Sequence, residues 1–175
     1  HLTPEQLTLV WQSASLLLDY PDEALLGHLP TIRAAAEQLP RDLGDPLLEV
    51  VTHLGTTPLP QLQADYVDTF DTRRRCTLFL TYFAHGDTRK RGLALLRFKQ
   101  TYLRSGFVLD ADPAQGEELP DHLCVVLEYA ATVDHGLGWR LLLDHRASIE
   151  LLRLSLAETG SPWLGALVAV CATLP

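Results

Sequence analysis

Paired acidic side chains are the first residues in this sequence that could do chemistry. Asp121 and Glu128 are seven positions apart, so on a helix they share one face and lie about 10 Å apart along its axis. Asp65 and Asp68 are three positions apart on another predicted helix. Paired carboxylates can exchange protons with a substrate, but they also solvate helix surfaces. These pairs alone therefore do not indicate catalysis.

The histidines and the motif content argue against an enzyme. The seven histidines include no pair at the spacing that places two metal ligands on one helix face. The sequence contains no nucleophile elbow, no phosphate-binding glycine loop and no dinucleotide-binding fingerprint. The run Arg73–Arg75 could hold an anion, but such runs are typical of solvated loops. We therefore predict a protein with no catalytic residues, no metal and no bound cofactor.

Charge is distributed unevenly along the chain. The 175 residues carry a formal net charge of −8. Residues 71–104 hold nine of the fourteen basic residues and only two acids, a local charge of +7, which leaves −15 on the remainder. General nucleic-acid binding requires a dominant positive surface, so we expect no nucleic-acid partner. The acidic remainder is compatible with a cationic peptide as partner.

Cysteine usage and hydropathy predict a cytoplasmic protein. Cys76, Cys124 and Cys171 are an odd number and widely spaced, so we expect reduced thiols, two of them buried. No apolar run approaches the roughly 20 residues of a membrane helix, and no secretory signal is visible. We therefore expect no membrane insertion. The length fits one domain with a single core, over residues 1–175.

Helical periodicity recurs along the whole chain, whereas strand-like alternation does not. Thr3 and Gln6 are spaced as a capping box, with Pro4 at the first helical position. A basic helix is expected to end at Gly106, because glycine tolerates the left-handed conformation of a helix end. The predicted fold is all-α, a single compact domain of about nine helices.

Prolines and caps set the other expected helix boundaries. Pro30 should kink or split the second helix, because it lacks the backbone N–H. Asp45-Pro46 should open the third helix. Pro120 should open a later helix, which would place His122 in its first turn, where the helix dipole disfavours the charged imidazole. One further helix is expected to span residues 138–158.

Three segments carry a family resemblance. The first is LLDYPD at residues 17–22. The second begins with YVDTFD at residues 66–71 and continues to HGDTRKRG at residues 85–92. The third is ELPDHL at residues 118–123, followed by LEY at residues 127–129. In this order and spacing, the segments resemble the NarJ-type assembly chaperones of respiratory nitrate reductase, which are related to TorD.

The resemblance implies an all-α chaperone rather than an enzyme. Members of that family bind the N-terminal segment of the nitrate reductase catalytic (alpha) subunit and hold the apoenzyme until molybdenum cofactor insertion. The implied partners are therefore that N-terminal segment and the cofactor insertion machinery. Two features depart from the family pattern. Cys124 stands where many relatives have a second proline, and the sequence ends at Pro175, where relatives often continue into a charged tail.

A basic, partly apolar partner segment needs an apolar groove with an acidic rim. Tyr66 and Phe70 could form the floor of such a groove, although ordinary core packing explains an aromatic pair at this spacing equally well. The rim would be acidic. The predicted peptide-binding residues are Asp65, Tyr66, Asp68, Phe70, Asp71, Glu118, Pro120, Asp121, His122, Glu128 and Tyr129.

Three alternatives remain open from sequence. The nearest is a chaperone of the same superfamily that serves an S- or N-oxide reductase, although the residues 85–92 favour the nitrate reductase branch. A small metal-dependent hydrolase would need a ligand or nucleophile constellation that the sequence does not show. A transcriptional regulator would need a basic recognition helix, and the strongly acidic remainder of the chain argues against that role for residues 89–104.

Overall fold

The computed structural model describes residues 1–85, 88–109 and 119–175. Within these ranges the secondary structure is helical apart from one isolated antiparallel bridge, between Phe79 and His122, which confirms the all-α class. The α-helices are α1 Pro4–Leu17, α2 Glu23–Glu37, α3 Arg41–Thr56, α4 Leu59–Tyr66, α5 Tyr82–His85, α6 Arg89–Arg104, α7 Leu123–Thr132, α8 His135–Asp144, α9 Arg146–Glu158 and α10 Leu164–Ala172. A π-helical turn, Val67–Asp71, extends α4, and a 3₁₀ turn, Arg74–Cys76, follows it.

Helix α1 runs through the centre of the core. Thr3 and Gln6 form the predicted capping box at its start, with hydrogen bonds in both directions. Its inward residues Val10 and Trp11 are fully buried. Trp11 Nε1 donates a hydrogen bond of 3.1 Å to Thr173 Oγ1, beyond the end of α10. The polar end of this large side chain is therefore satisfied inside the core, as burial of an indole requires.

Helix α7 packs antiparallel against α1. Ser15 Oγ, near the end of α1, donates a hydrogen bond of 2.7 Å to the Cys124 carbonyl at the start of α7. At the opposite end, Thr8 Oγ1 lies 2.7 Å from His135 Nε2, just beyond α7. Every residue from 123 to 131 is buried except Glu128. Helix α7 is therefore an interior element with one exposed polar position.

Glycines let three helix pairs approach closely. A Cβ atom added at Gly165 of α10 would lie 2.0 Å from the Pro46 carbonyl oxygen of α3. The corresponding distance is 2.3 Å from Gly44 to the Ala36 oxygen and 2.3 Å from Gly138 to the Ala130 Cα atom. Any larger side chain at these positions must push two helix backbones apart.

Several helix boundaries differ from those predicted from sequence. Pro30 does not split α2, which is continuous from Glu23 to Glu37, and α3 begins at Arg41 rather than at Asp45. A proline inside a helix frees the carbonyl oxygen four residues earlier. For Pro46 that residue is Asp42, which is exposed, so water can solvate the freed carbonyl.

The single helix predicted over residues 138–158 is two helices, α8 and α9, which meet at His145. The His145 backbone N–H bonds to the Leu142 carbonyl three residues earlier. Its imidazole Nδ1 lies 2.8 Å from the Leu141 carbonyl oxygen. In a continuous α-helix the His145 backbone N–H would donate to the Leu141 carbonyl. Here the imidazole lies at hydrogen-bond distance from that carbonyl instead.

The end of the basic helix α6 agrees with the prediction. Gly106 adopts φ +70°, a left-handed conformation that glycine reaches without strain. Phe107 N–H donates a hydrogen bond of 2.9 Å to the Tyr102 carbonyl, which closes the helix end. Across the described ranges, no helix combines the length and apolarity needed to cross a bilayer.

We predict that Gly165→Ala destabilises the fold by about 1–3 kcal/mol or more, because its methyl group would overlap the Pro46 carbonyl and overpack the α3–α10 interface. Gly27→Ala is the matched control, since a Cβ at this mid-helix position meets nothing within 4 Å. That control should be stabilising by about 0.5–1 kcal/mol through helix propensity. Urea unfolding of both variants measures the difference. Equal stabilities would contradict the close helix approach.

Candidate functional site

The second and third motif segments meet where the chain enters α7. The Leu80 N–H donates to the Asp121 carbonyl at 3.1 Å, and the Leu123 N–H donates to the Leu78 carbonyl at 2.8 Å. These bonds flank the bridge between Phe79 and His122. A short extended stretch before α5 is therefore paired with the turn before α7, which gives that turn a defined position despite its lack of regular structure.

Asp121 is buried completely at this junction. Its Oδ2 atom accepts hydrogen bonds from the Thr81 N–H, at 3.0 Å, and from Thr81 Oγ1, at 2.6 Å. Arg91 of α6 lies beside this pair: its Nη2 atom is 3.8 Å from Asp121 Oδ2, and its Nε–H donates to Thr81 Oγ1 at 3.2 Å. We call these three residues the Asp121 cluster. A buried carboxylate needs such compensation, because desolvation of an unpaired charge costs several kcal/mol.

The location of Asp121 differs from the exposed rim expected from sequence. Pro120 is also buried, and its carbonyl accepts a hydrogen bond of 2.6 Å from Tyr102 Oη of α6. The reason is that the turn before α7 is enclosed by α6 and by residues 78–81, which are distant in sequence. Asp121 Oδ1 has no hydrogen-bond partner within the described residues. Any role of these two residues in peptide binding remains a prediction.

His122 is the N-cap of α7, so this helix begins at Leu123 rather than at Pro120. Its Nδ1 atom accepts a hydrogen bond of 3.1 Å from the Cys124 N–H. A proline at position 124 would have no N–H to donate, so the cap depends on the residue that departs from the family pattern. Burial lowers the pKa of His122, against the opposite effect of Asp19, Asp121 and Asp71. The imidazole is therefore held neutral, in the tautomer that can cap the helix.

Tyr66 and Phe70 lie in the core, each only 5% exposed. Their ring centroids are 5.7 Å and 5.6 Å from that of Trp163, which is fully buried. Tyr66 Oη donates a hydrogen bond of 2.7 Å to the Leu18 carbonyl at the end of α1, and burial raises the pKa of this phenol. Both rings therefore pack in the core, although Phe70 also borders the open cleft described below. Tyr66 fixes the end of α1.

Tyr129 is likewise fully buried. Its Oη atom lies 2.6 Å from Ser105 Oγ at the end of α6, and its ring packs against Tyr102 and Phe107. Burial raises the pKa of Tyr102 as well. This aromatic cluster anchors the end of α6 on α7. Tyr129 is therefore positioned to support α7 from inside, not to contact a ligand directly.

The remaining predicted acids are distributed over the surface. Asp68, Asp71 and Glu128 are exposed, and Asp65 is half-buried. Asp65 Oδ1 accepts a hydrogen bond of 2.7 Å from Gln61 Nε2, and Asp68 Oδ2 lies 3.7 Å from Arg73 Nη2. Glu118 lies outside the described residues. The structure therefore divides the predicted rim, with Asp65 and Asp68 on the α4 side and Glu128 on α7.

A groove between α1 and α7 was not predicted from sequence. Its volume is about 190 Å³, and it is lined by Gln12, Ser15, Leu16, Asp19, Cys124, Val125, Glu128 and Thr132. The lining includes two carboxylates and no Lys or Arg. Gln12 and Leu16 are exposed at helical spacing on α1, and the exposed Asp19 follows just beyond its end. That spacing was the available signal, but it identifies a groove only once α7 is known to lie alongside.

A larger open cleft of about 550 Å³ adjoins the turn before α7, with Leu119 in its lining. Its lining includes Phe70, Asp71, Arg74, Tyr82 and Arg91. The guanidinium carbons of Arg74 and Arg91 lie 5.4 Å and 5.1 Å from the Tyr82 ring centroid, within the range of cation–π attraction. Within the described residues, no group of three or more His, Cys, Asp or Glu side chains is placed to hold a metal ion.

One family model matches most of the chain. A family described as "Nitrate reductase delta subunit" matches residues 36–169. The chain belongs to this family. The match extends from α2 to α10. It includes the Asp121 cluster, the His122 cap and Tyr66, which fixes the end of α1.

Relatives of this nitrate reductase delta subunit family match over most of the chain. Nitrate reductase-like protein NarX of Mycobacterium tuberculosis (strain ATCC 25618 / H37Rv) is 43% identical over 171 residues, which cover 94% of this chain and 24% of NarX. The probable nitrate reductase molybdenum cofactor assembly chaperone NarJ of Bacillus subtilis (strain 168) is 35% identical over 133 residues, 75% of this chain and 68% of that protein. The chain thus spans about a quarter of the length of NarX.

Two further comparisons concern chaperone function and fold. Nitrate reductase molybdenum cofactor assembly chaperone NarJ of Escherichia coli (strain K12) is 33% identical over 150 residues, 84% of this chain and 61% of that protein. A solved structure assigned as a redox enzyme maturation protein of Archaeoglobus fulgidus superposes with a TM-score of 0.66. The two sequences are 26% identical, and the match covers 99% of this chain and 94% of the Archaeoglobus fulgidus chain. The delta subunit fold is therefore shared with a protein assigned to redox enzyme maturation.

We predict that Asp121→Ala lowers the free energy of unfolding by about 3 kcal/mol, because it removes a buried carboxylate that accepts two hydrogen bonds from Thr81 and lies 3.8 Å from Arg91. Asp121→Asn should cost less, about 1–2 kcal/mol, since an amide oxygen can still accept from Thr81. Asp68→Ala removes the exposed partner of Arg73 and should change stability by less than about 1 kcal/mol. Urea unfolding tests all three. A loss no larger for Asp121→Ala than for Asp68→Ala would show that the buried cluster is not stabilising.

We also predict an acid-dependent loss of stability that originates at His122. Because burial lowers its pKa in the folded state, the unfolded chain takes up a proton on this residue first as pH falls below its ordinary value of 6.5. The folded state therefore loses stability between pH 7.5 and 5.5. His122→Asn keeps a cap acceptor but cannot titrate, so its stability should fall less over that interval. Urea unfolding of the wild type and of His122→Asn at pH 7.5 and 5.5 makes the measurement. If both proteins lose the same stability, the acid sensitivity originates at other groups.

Proposed function

We propose that this chain is an assembly chaperone that binds the N-terminal segment of a nitrate reductase catalytic subunit and holds the apoenzyme for molybdenum cofactor insertion. The observation that carries the proposal is the position of the motif residues around the α1–α7 groove. Tyr66 fixes the end of α1 through the Leu18 carbonyl, and His122 caps the start of α7. The end of α1 and the start of α7, which meet at one end of the groove, are thus both held by residues of the family motifs.

The groove has the chemistry that a basic amphipathic segment requires. Leu16 and Val125 offer apolar contact, while Asp19 and Glu128 supply negative charge. The α7 portion of the lining, from position 124 to position 132, extends about 12 Å, or roughly two turns of a bound helix. Helix-in-groove recognition places apolar side chains of the ligand at the floor and its cations against the acidic edges. A basic leader-like segment fits both requirements.

The buried motif residues act indirectly in this proposal. Ser15 joins the end of α1 to the start of α7 through its bond to the Cys124 carbonyl. The Asp121 cluster and the Tyr129 anchor hold α6 and the turn before α7 in place behind the groove. The residues of the Asp121 cluster and Tyr129 are therefore positioning residues, which hold α7 in place without contacting the peptide, whereas Ser15 lines the groove itself. The chaperone acts by binding, in the cytoplasm, without a catalytic step.

The names of the relatives support the client. The NarJ proteins of Bacillus subtilis and Escherichia coli are both named as nitrate reductase molybdenum cofactor assembly chaperones, the former as probable. The alternative that the sequence leaves open is a chaperone of the same superfamily that serves an S- or N-oxide reductase. Copurification of a nitrate reductase catalytic subunit with the full chain supports the proposal, and copurification of another molybdoenzyme in its place contradicts the client assignment.

We predict that peptide binding depends on charge at the groove. Glu128→Lys and Asp19→Lys should each slow association with a synthetic peptide of the catalytic subunit's N-terminal segment by about tenfold, and they should weaken its dependence on salt, because rim charges mainly set the association rate. Glu158→Lys and Glu23→Lys are matched controls at exposed positions outside the groove. Stopped-flow kinetics at low and high salt, with calorimetry for the affinity, make the measurement.

Two outcomes would contradict this assignment of the groove. If the control variants slow binding as much as the groove variants, the effect is one of net charge alone. If instead Asp65→Lys and Asp68→Lys carry the whole effect, the peptide binds on the α4 side. Tyr66→Phe separates positioning from contact, since it removes only the hydroxyl that bonds Leu18. It should speed dissociation while the folded circular-dichroism spectrum is preserved.

A further inference from the structure

Helix α6 exposes an apolar stripe that no described element covers. Its inward face is formed by Phe98 and Tyr102, which are buried. The outward face shows Leu93, Leu96 and Leu103, which are 60%, 48% and 74% exposed. Their spacing of three and seven positions places them on one side of the helix. A core-packed helix ordinarily turns its leucines inward, so this stripe is not explained by the fold.

Cations flank the stripe along its whole length. The exposed charged residues of α6 are Arg89, Lys90, Arg97, Lys99 and Arg104. The helix has no Asp or Glu, and no ion pair joins any of these five to an acid within the described ranges. Arg91, the remaining basic residue, turns inward to the Asp121 cluster. We call the three leucines and five cations the basic–leucine face, and it extends over about 24 Å.

We propose that the basic–leucine face binds the surface of a bilayer that contains anionic lipid. The chain would lie against the headgroups without crossing the membrane. Leucines flanked by Lys and Arg on one exposed helix face are the pattern of interfacial helices, in which the apolar side chains enter the headgroup boundary and the cations contact lipid phosphates. Each cation close to an anionic membrane strengthens binding about fivefold, so five cations and a short apolar stripe give reversible attachment.

The form of the face favours lipid over a protein partner. The leucines protrude from a convex helix and are separated by cations, whereas protein hot spots are usually aromatic side chains seated in a pocket. A protein partner would also need fixed carboxylates matched to five cations spread over the helix. Lipid headgroups diffuse laterally, so they can collect under any cation pattern. A second copy of this chain could offer its acidic surface, and the experiment below includes that case.

Vesicle cosedimentation with the full chain tests the proposal. Vesicles of phosphatidylcholine with about 30% phosphatidylglycerol should bind the wild-type chain at 0.1 M salt, whereas pure phosphatidylcholine vesicles should not. Lys99→Gln/Arg104→Gln should weaken binding about 25-fold, because each of the two cations contributes about fivefold. Leu93→Ser/Leu103→Ser should weaken it by about tenfold, because the apolar contact is lost. All these residues are exposed, so thermal unfolding of the variants should match the wild type.

The controls carry the same changes elsewhere on the surface. Arg33→Gln/Arg146→Gln removes two exposed cations outside α6, and Leu154→Ser removes a leucine that is 48% exposed on α9. Both should bind vesicles like the wild type. Equal weakening by these controls, or no preference for anionic vesicles, would overturn the proposal. The proposal would also be overturned if a polyglutamate peptide bound as tightly as the anionic vesicles and did so without dependence on Leu93 and Leu103. A dimer seen by sedimentation velocity that dissociates in the Lys99→Gln/Arg104→Gln variant would overturn it as well.

Discussion

The buried carboxylate of Asp121 is the constraint on which the candidate site depends. A negative charge in a water-excluded position is tolerated only when donors surround it, and Thr81 and Arg91 are those donors in the described structure. They belong to the stretch before α5 and to α6, so one carboxylate joins two elements to the turn before α7. Hydrogen bonds to charged groups are about twice as strong as neutral ones, which makes this junction more rigid than its irregular backbone would suggest.

That rigidity reaches the surface through α7. With the turn fixed, His122 caps the helix, and the Ser15 bond to the Cys124 carbonyl sets the end of α1 against its start. On the other side, Tyr66 holds the Leu18 carbonyl. The α1–α7 groove is therefore defined by interior contacts at its end, although none of the buried residues lines it except Cys124 and Val125. A preformed groove of this kind binds without first ordering its own walls.

Local features of the fold could be predicted from sequence, and tertiary choices could not. The capping box of Thr3 and Gln6 and the left-handed Gly106 depend on neighbouring residues alone, and both were predicted correctly. Whether Tyr66 faces a groove or the core depends on Trp163, and whether Asp121 is exposed depends on Thr81, forty positions away. Helical periodicity gives no information about such partners. The sequence alone therefore could not decide whether Tyr66 and Asp121 are buried.

The net charge of the chain is −8, which by itself would predict repulsion from an anionic membrane and would not explain how the chain could bind ligands of opposite charge. Screening changes that expectation. At physiological ionic strength an exposed charge acts over about 8–10 Å, so a ligand responds to the charges nearest to it and not to the total. Five cations lie along α6, whereas the α1–α7 groove presents Asp19 and Glu128 with no cation in its lining. Two surfaces of opposite sign on one small chain can therefore select ligands of opposite charge. Arg91 contributes to this separation of charge. It points inward and neutralises the buried Asp121, whereas the other five cations of α6 lie on the surface.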